Sequence, residues 1–544
     1  PYRRRPRSGV FGMKRTAKRD SSRLVGGAAV LAIGSIVAKV LGAFYRVPLT
    51  NILGAEGMGV YQLVFPVYAL FMTLATAGIP TALSRIVAEQ LATGEGARKY
   101  LFSALMTLVT LGVLAGVLML ALSSVLASWQ GNPAAASGYI AVAPAVVLVG
   151  IIAGLRGWFQ GEMFMLPTAL SNVIEQAVKL GVGVGLAVLL SRRSAEAAVF
   201  GALMGVTVSE LVAAIYLAVT YFVRSKKRGE GKECLRLCAV ERKAMFRTAF
   251  PIALLGLILP LGTFLDSFIV VNCLKWGGAD TASATASYGL LSGPVTSLVN
   301  LPVVVIMSLA IALVPSVTLS RAGHDLEGIL WKSRLSIKLV YLLGVPAALF
   351  MMIFGRSILS VLYPTLAPAE LIASAKLLAV ASFGVVLTGA TQIYIALLQA
   401  LDKTFSAIKS LFLAVAVKLV ISPFLIREIG VMGAAVSGVV MSAVALVAVT
   451  AVFHRLTLMR LEKNVAQTLV GGVIMALVAL VVREYVPYGI AVIAVGALVC
   501  AAVYGFVTTV MGVLSEAELV ALPFGKRLVG IRRKIRFWEN EYDG

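Results

Sequence analysis

The sequence predicts an all-α integral membrane protein of fourteen transmembrane helices, built as two pseudo-symmetric six-helix lobes followed by two C-terminal helices. Three observations predict it. Fourteen apolar stretches follow one another with short breaks between residues 24 and about 513. The chain is 59% hydrophobic and only 13% charged, with a mean hydropathy of +0.94. An ordered internal repeat runs through it. A hydrocarbon core about 30 Å thick needs roughly 20 apolar residues in a helix to cross it. The residue usage is helical rather than alternating, and backbone in lipid must satisfy its own hydrogen bonds, so a β-barrel is excluded.

In chain order, residues 1–23 form a basic tail, and Met13-Lys14-Arg15 reads as a start, which makes residues 1–12 an expected upstream extension. The first lobe, 24–223, holds spans at 24–45, 58–84, 101–127, 137–155, 166–190 and 197–223. A basic linker occupies 224–245. The second lobe, 246–453, holds spans at 246–273, 284–318, 337–359, 371–400, 406–425 and 431–453. Two more spans, 466–483 and 488–513, precede a basic tail at 514–544.

The repeat defines the lobes. Leu83-Ser84-Arg85 after Pro80 recurs as Leu319-Ser320-Arg321 after Pro315, an offset of 321 − 85 = 236. Ala177-Val178-Lys179-Leu180 recurs as Ala416-Val417-Lys418-Leu419, an offset of 418 − 179 = 239. Six spans per copy keep both copies in the same orientation. That implies a two-fold axis along the membrane normal, with a substrate site between rocking halves. The last two spans have no counterpart.

Lys and Arg set the orientation. The N-terminal tail, the loop after span six, Arg98 with Lys99, the Arg321–Arg334 region, the Arg455–Lys463 region and the C-terminal tail all fall on one side of a fourteen-span chain, whereas 128–138 has no cation. Both termini are therefore expected in the cytoplasm, in a multi-pass protein of the plasma membrane. The net charge of +23 is accounted for by these juxtamembrane loops and their attraction to anionic headgroups. It does not call for nucleic acid as a partner. The four cysteines offer no disulfide framework, and Cys234 with Cys238 lacks the further ligands a zinc site wants.

Ionisable residues inside spans are costly, roughly 2.5–3.5 kcal/mol on insertion scales, and default to function. Lys39 and Arg46 stand seven residues apart, two turns on one face of span one, with no acidic residue at i±3 or i±4. Such a pair suits a pyrophosphate, which Arg binds through paired hydrogen bonds. Arg85 closes span two, where it serves either the substrate or the interface. Glu175 and Lys179 are i,i+4 and can neutralise each other. Lys418 has Ala414 where an acidic partner would stand, and Asp266 in span seven has Gly262 and Val270 as helical neighbours. Lys39, Arg46, Arg85, Asp266 and Lys418 are the candidate substrate-binding residues. Asp266 is expected to balance the span-one cations or to carry a coupling proton or Na⁺. No cofactor and no metal are expected. His324 and His454 lie outside the spans as placed here, and no Walker loop or His-Glu-x-x-His motif is present.

Ala38-Lys39-Val40-Leu41-Gly42-Ala43-Phe44-Tyr45-Arg46, Leu53-Gly54-Ala55-Glu56-Gly57-Met58-Gly59-Val60-Tyr61-Gln62, Gly78-Ile79-Pro80 through Glu89, and Tyr288-Gly289 through Ser320 carry a resemblance. The chain resembles the stage V sporulation protein B and MurJ-like lipid II flippase group of the multidrug/oligosaccharidyl-lipid/polysaccharide exporter superfamily. The resemblance implies a MATE-like fold and the flipping of a lipid-linked saccharide by alternating access, in peptidoglycan, polysaccharide or sporulation-related wall synthesis. It also implies that Lys39 and Arg46 match the cavity cations of the first helix. The arginine that such flippases carry in helix eight is missing, since no basic residue stands between Lys275 and Arg321. Tyr61 takes the place of an early helix-two acid. The expected protein is a non-enzymatic, monomeric flippase of an undecaprenyl-linked, lipid II-like precursor, with membrane lipids as its other partners. The alternatives are a multidrug cation antiporter of the same superfamily, a membrane glycan polymerase or ligase, and a non-transporting scaffold. A polymerase or ligase would need a larger exterior loop than 128–138 or 355–370 provides.

Overall fold

The computed structural model describes residues 9–76, 78–93, 96–228, 239–457, 463–486 and 489–515, together with 518, 529 and 530. The described residues are helical with short connections. The elements are α1 (Gly9–Thr76), α2 (Ile79–Thr93), α3 (Arg98–Ala121), α4 (Ser123–Trp129), α5 (Ala135–Gly161), α6 (Leu166–Val178), α7 (Val184–Ser191), α8 (Ala195–Arg228) and α9 (Ala239–Trp276). They continue as α10 (Thr281–Leu290), α11 (Thr296–Ala322), α12 (Leu326–Leu362), α13 (Pro368–Ala381), α14 (Phe383–Ala400), α15 (Thr404–Ile429), α16 (Val431–Thr457), α17 (Lys463–Tyr485) and α18 (Ile490–Val510). Two π-helical turns, Lys179–Gly183 and Leu291–Val295, join α6 to α7 and α10 to α11.

Thirteen helices among the described residues are long and apolar enough to cross a membrane. The first of these, Ile33–Leu91, is 59 residues long, about 90 Å at the helical rise, and carries both span one and span two. The break between them falls at Gly54, whose φ of 67° and ψ of −175° interrupt α1. That left-handed φ suits glycine, which has no Cβ to clash.

Two compact units emerge. One comprises the described residues through Tyr45, with Leu63–Ser128 and Pro133–Phe264; the other comprises Arg46–Gln62, Trp129–Asn132 and the described residues from Leu265 onward. In the first, α2, α3 and α8 pack around α5, and α6 and α7 lie on α8. Its core gathers Ile79, Leu83, Tyr100, Leu108, Trp158 and Phe159. Small residues bring the backbones close: a Cβ at Gly157 would stand 2.7 Å from the Pro80 carbonyl oxygen.

The second unit repeats the plan. There α11, α12 and α16 pack around α14, and α15 lies on α16. Helix by helix, α2, α3, α5, α6/α7 and α8 correspond to α11, α12, α14, α15 and α16, so the two lobes are pseudo-symmetric in packing as well as in sequence. The extra pair, α17 and α18, packs against α12 through Phe354, Met475, Ala479, Cys500 and Tyr504. Residues 229–238 of the linker, with Cys234 and Cys238, lie outside the described residues.

Candidate functional site

The membrane-embedded charges divide between the two units. In the first, Lys39 is exposed on α1. Arg85 is exposed as well, with its Nε 2.9 Å from Glu89 Oε1 one turn on and the two side chains 73% and 60% exposed. Deeper in this unit, Glu175 is the hub of an ion-pair cluster. Arg156 Nη2 approaches its Oε2 at 3.1 Å and Lys179 Nζ its Oε1 at 3.6 Å, with all three side chains largely buried. Arg156 Nε also donates to Ser171 Oγ at 2.9 Å. Glu210, on α8, accepts from Tyr68 Oη at 3.4 Å and lies in the field of Glu175, Lys179 and Arg156. The i,i+4 pairing of Glu175 with Lys179 is as the spacing predicts. Arg156 was hidden by the placement of span four, which ended at residue 155; α5 runs on to Gly161 and carries the guanidinium with it.

In the second unit, Arg46 is half-buried and its Nη1 donates to Ser297 Oγ at 3.2 Å. Ser297 in turn donates to the Gly293 carbonyl, at the π turn Leu291–Val295 that contains Pro294. The same turn is held by Gln62, whose Nε2 donates to the Ser292 carbonyl at 2.6 Å. A π turn adds a residue to the helix and re-aims the side chains beyond it. Here that aim presents Ser297 to Arg46. The segment 46–62 reaches this surface because Gly59 and Gly289 strip the crossing of side chains: a Cβ at Gly59 would overlap the Thr285 carbonyl, and one at Gly289 the Ala55 carbonyl.

Asp266 and Lys418, each without a partner on its own helix, pair with each other. Lys418 Nζ lies 2.8 Å from Asp266 Oδ2, and the side chains are 16% and 21% exposed. Asp266 therefore has a counter-charge on α15. Its Oδ1 is buried and makes no hydrogen bond, and Tyr288 lies within its field. Of the five candidate residues, the structure thus brings Asp266 and Lys418 together, ties Arg46 to Ser297, leaves Arg85 on the surface with Glu89, and has Lys39 exposed on α1. Ser297, Gln62 and Tyr68 carried no signal in the sequence, because neutral hydroxyls and amides in a span do not stand out by charge.

A third feature is apolar. A cavity of about 480 Å³ between α12, α17 and α18 is lined by Leu342, Pro346, Phe350, Met475, Tyr504 and their neighbours. Lining of this kind takes hydrocarbon and offers little to a polar ligand.

An all-α multi-pass chain that repeats one helical packing plan in two units, with an added pair of helices, has the architecture of membrane transporters of the multidrug/oligosaccharidyl-lipid/polysaccharide type. The chain belongs to the polysaccharide biosynthesis protein family, whose model matches residues 24–321, and its relatives place it in the stage V sporulation protein B and MurJ-like group. It is 27% identical to stage V sporulation protein B of Bacillus subtilis (strain 168) over 515 residues, 92% of this chain and 98% of that one. It is 26% identical over 429 residues to the lipid II flippase MurJ of the same organism, 75% of this chain and 78% of that one. Among solved structures, the inward closed conformation of lipid II flippase MurJ aligns with a TM-score of 0.73 at 12% identity, covering 89% of this chain and 99% of that chain. An inward-facing multidrug resistance MATE transporter aligns with a TM-score of 0.66 at 17% identity, covering 77% of this chain and 94% of that one. These structures share the fold.

Proposed function

We propose that this protein flips an undecaprenyl-linked saccharide precursor, lipid II or a close chemical relative, across the plasma membrane by alternating access of its two lobes. The observation that carries this reading is the basic character of the first membrane helix. Lys39 and Arg46 stand in a stretch with no acidic residue between Asp20 and Glu56, and Arg46 is presented beside a hydroxyl rather than left to the interface. Two cations two turns apart on one membrane helix suit a pyrophosphate. The apolar cavity between α12, α17 and α18 would accept part of a polyprenyl tail. Asp266 and Lys418 act in this reading as a clasp between α9 and α15 rather than as direct ligands, and Arg85 as a cytoplasmic-side contact. The distribution of Lys and Arg supports cytoplasmic termini, and in this reading the transporter works as a monomer without a cofactor.

The named relatives support the substrate class: one is a lipid II flippase and one a sporulation protein. The multidrug-antiporter alternative needs an available acidic group, and Asp266, its best candidate, is engaged by Lys418. The test is complementation of a strain deficient in lipid II flippase, with flipping of defined lipid-linked saccharides in proteoliposomes alongside. Lys39→Ala and Arg46→Ala should each abolish activity at unchanged protein level. Full activity in both variants would overturn the reading.

A further inference from the structure

Residues 129–132, the last residue of α4 and the start of the connection to α5, carry an arrangement that the transport reading does not use. Their chain neighbours Ser128 and Pro133 belong to the first unit, whereas Trp129–Asn132 belong to the second. Hydrogen bonds to α9 and α10 hold them there. Gln130 Nε2 donates to Ser267 Oγ at 2.8 Å, and Asn132 Nδ2 to Thr285 Oγ1 at 2.9 Å. Asn272 Nδ2 donates to the Trp129 carbonyl at 2.6 Å, and Lys275 Nζ to the Gly131 carbonyl at 2.9 Å. The segment thus spans the ends of α9 and α10 on the side that the cation distribution assigns to the exterior. Gly131 has φ of +85°, and a Cβ there would stand 2.9 Å from Asn272 Oδ1, so the turn fits its seat only as glycine.

We propose that residues 129–132 are an exterior strap that docks on α9 and α10 and is released during each transport cycle, with Gln130 and Asn132 as its positioning residues. The chemistry of the seat is that of a reversible contact. Gln130, Asn132, Ser267 and Thr285 are all buried, the strap meets α9 and α10 through side-chain amides, hydroxyls and carbonyls, and its one large apolar side chain, Trp129, stays 65% exposed. Buried amide–hydroxyl pairs are satisfied when docked and are equally satisfied by water when undocked, so release leaves no orphaned group. A junction meant to be permanent would bury apolar surface instead. The covalent connections point the same way. A rocking motion with the strap still seated would have to be absorbed at 128–129 and 132–133, and Pro133 restricts both its own φ and the conformation of Asn132 at the second of these.

This inference rests on the alternating-access reading, and the test separates the two. Trp129→Cys and Asn272→Cys are combined in a chain whose Cys234, Cys238, Cys273 and Cys500 are replaced by Ser or Ala. The pair is then joined by a short bis-methanethiosulfonate cross-linker in proteoliposomes loaded with lipid II. Loss of flipping on cross-linking, restored by dithiothreitol, is the expected result. Undiminished flipping by the cross-linked protein would overturn the strap and leave the transport reading standing. Absence of flipping in the wild type and in every variant would overturn the substrate assignment instead. In that case, or if the double variant is inactive before cross-linking, N-ethylmaleimide labelling of a single Gln130→Cys variant decides. A strap that releases exposes this thiol and is labelled, whereas one that stays seated protects it until the protein is denatured.

Discussion

Changing Asp266 to Asn should destabilise the second lobe, and changing Lys418 to Gln as well should give part of that stability back. The two charges are 2.8 Å apart at 16% and 21% exposure. At an effective dielectric of about 20 the gross attraction at that distance is about 6 kcal/mol, most of it offset by desolvation of both groups. Removing one partner leaves the other charge largely buried and uncompensated, which costs about 3–5 kcal/mol. Removing both replaces an ion pair by neutral amides of similar shape and costs considerably less. The coupling in a double-mutant cycle should therefore be about 2–3 kcal/mol, within the range for groups in direct contact. The assay is the fraction of monodisperse protein surviving heating in detergent, read by fluorescence-detected size exclusion for wild type, both single variants and the double. Additive losses, with the double variant as unstable as the two singles summed, would refute the pairing as a source of stability.

Three further outcomes follow from the same structure. Glu175→Gln should lower stability by about 3–5 kcal/mol, because it strips the anionic partner from both Arg156 and Lys179. Glu210→Gln should cost less, since the amide still accepts from Tyr68; thermal survival compares the two, and equal losses would contradict the hub assignment. Gly289→Ala should cost about 1–3 kcal/mol by overpacking, because its Cβ overlaps the Ala55 carbonyl and backbone must shift; folded yield measures this, and a wild-type yield would contradict the close crossing. Arg85→Ala should leave stability within about 1 kcal/mol, as expected of an exposed pair. A loss of flipping in that variant at unchanged melting would therefore report a contact with substrate.

Much of the architecture is legible in the sequence because lipid imposes a single rule on every span. Hydropathy finds the helices, and an offset of 236 to 239 residues finds the duplication that the packing of α5 and α14 repeats. Ion pairs are legible only when both members lie on one helix. Glu175 and Lys179 show themselves at i,i+4, whereas Asp266 and Lys418 are 418 − 266 = 152 residues apart, so no local pattern joins them. Each was nonetheless conspicuous for lacking a partner, and two opposite charges with that defect are natural candidates for each other. Arg156 escaped notice because span four was ended one residue before it, although α5 continues to Gly161. The strap at 129–132 escaped because Gln, Gly and Asn next to Pro read as an ordinary loop; its partners lie on helices distant in sequence.

The paired lysines preserve a trace of how the chain diverged after duplication. Lys179 and Lys418 occupy equivalent positions, but the first is neutralised by Glu175 from its own helix, and the residue equivalent to Glu175 in the second copy is Ala414. The second copy draws its carboxylate from Asp266 on α9, and an offset of 239 from there falls on Gly27 in the first copy. The same lysine register is thus compensated within one helix in the first lobe and between two helices in the second, and losing either carboxylate would strand a membrane cation at a cost of roughly 2.5–3.5 kcal/mol.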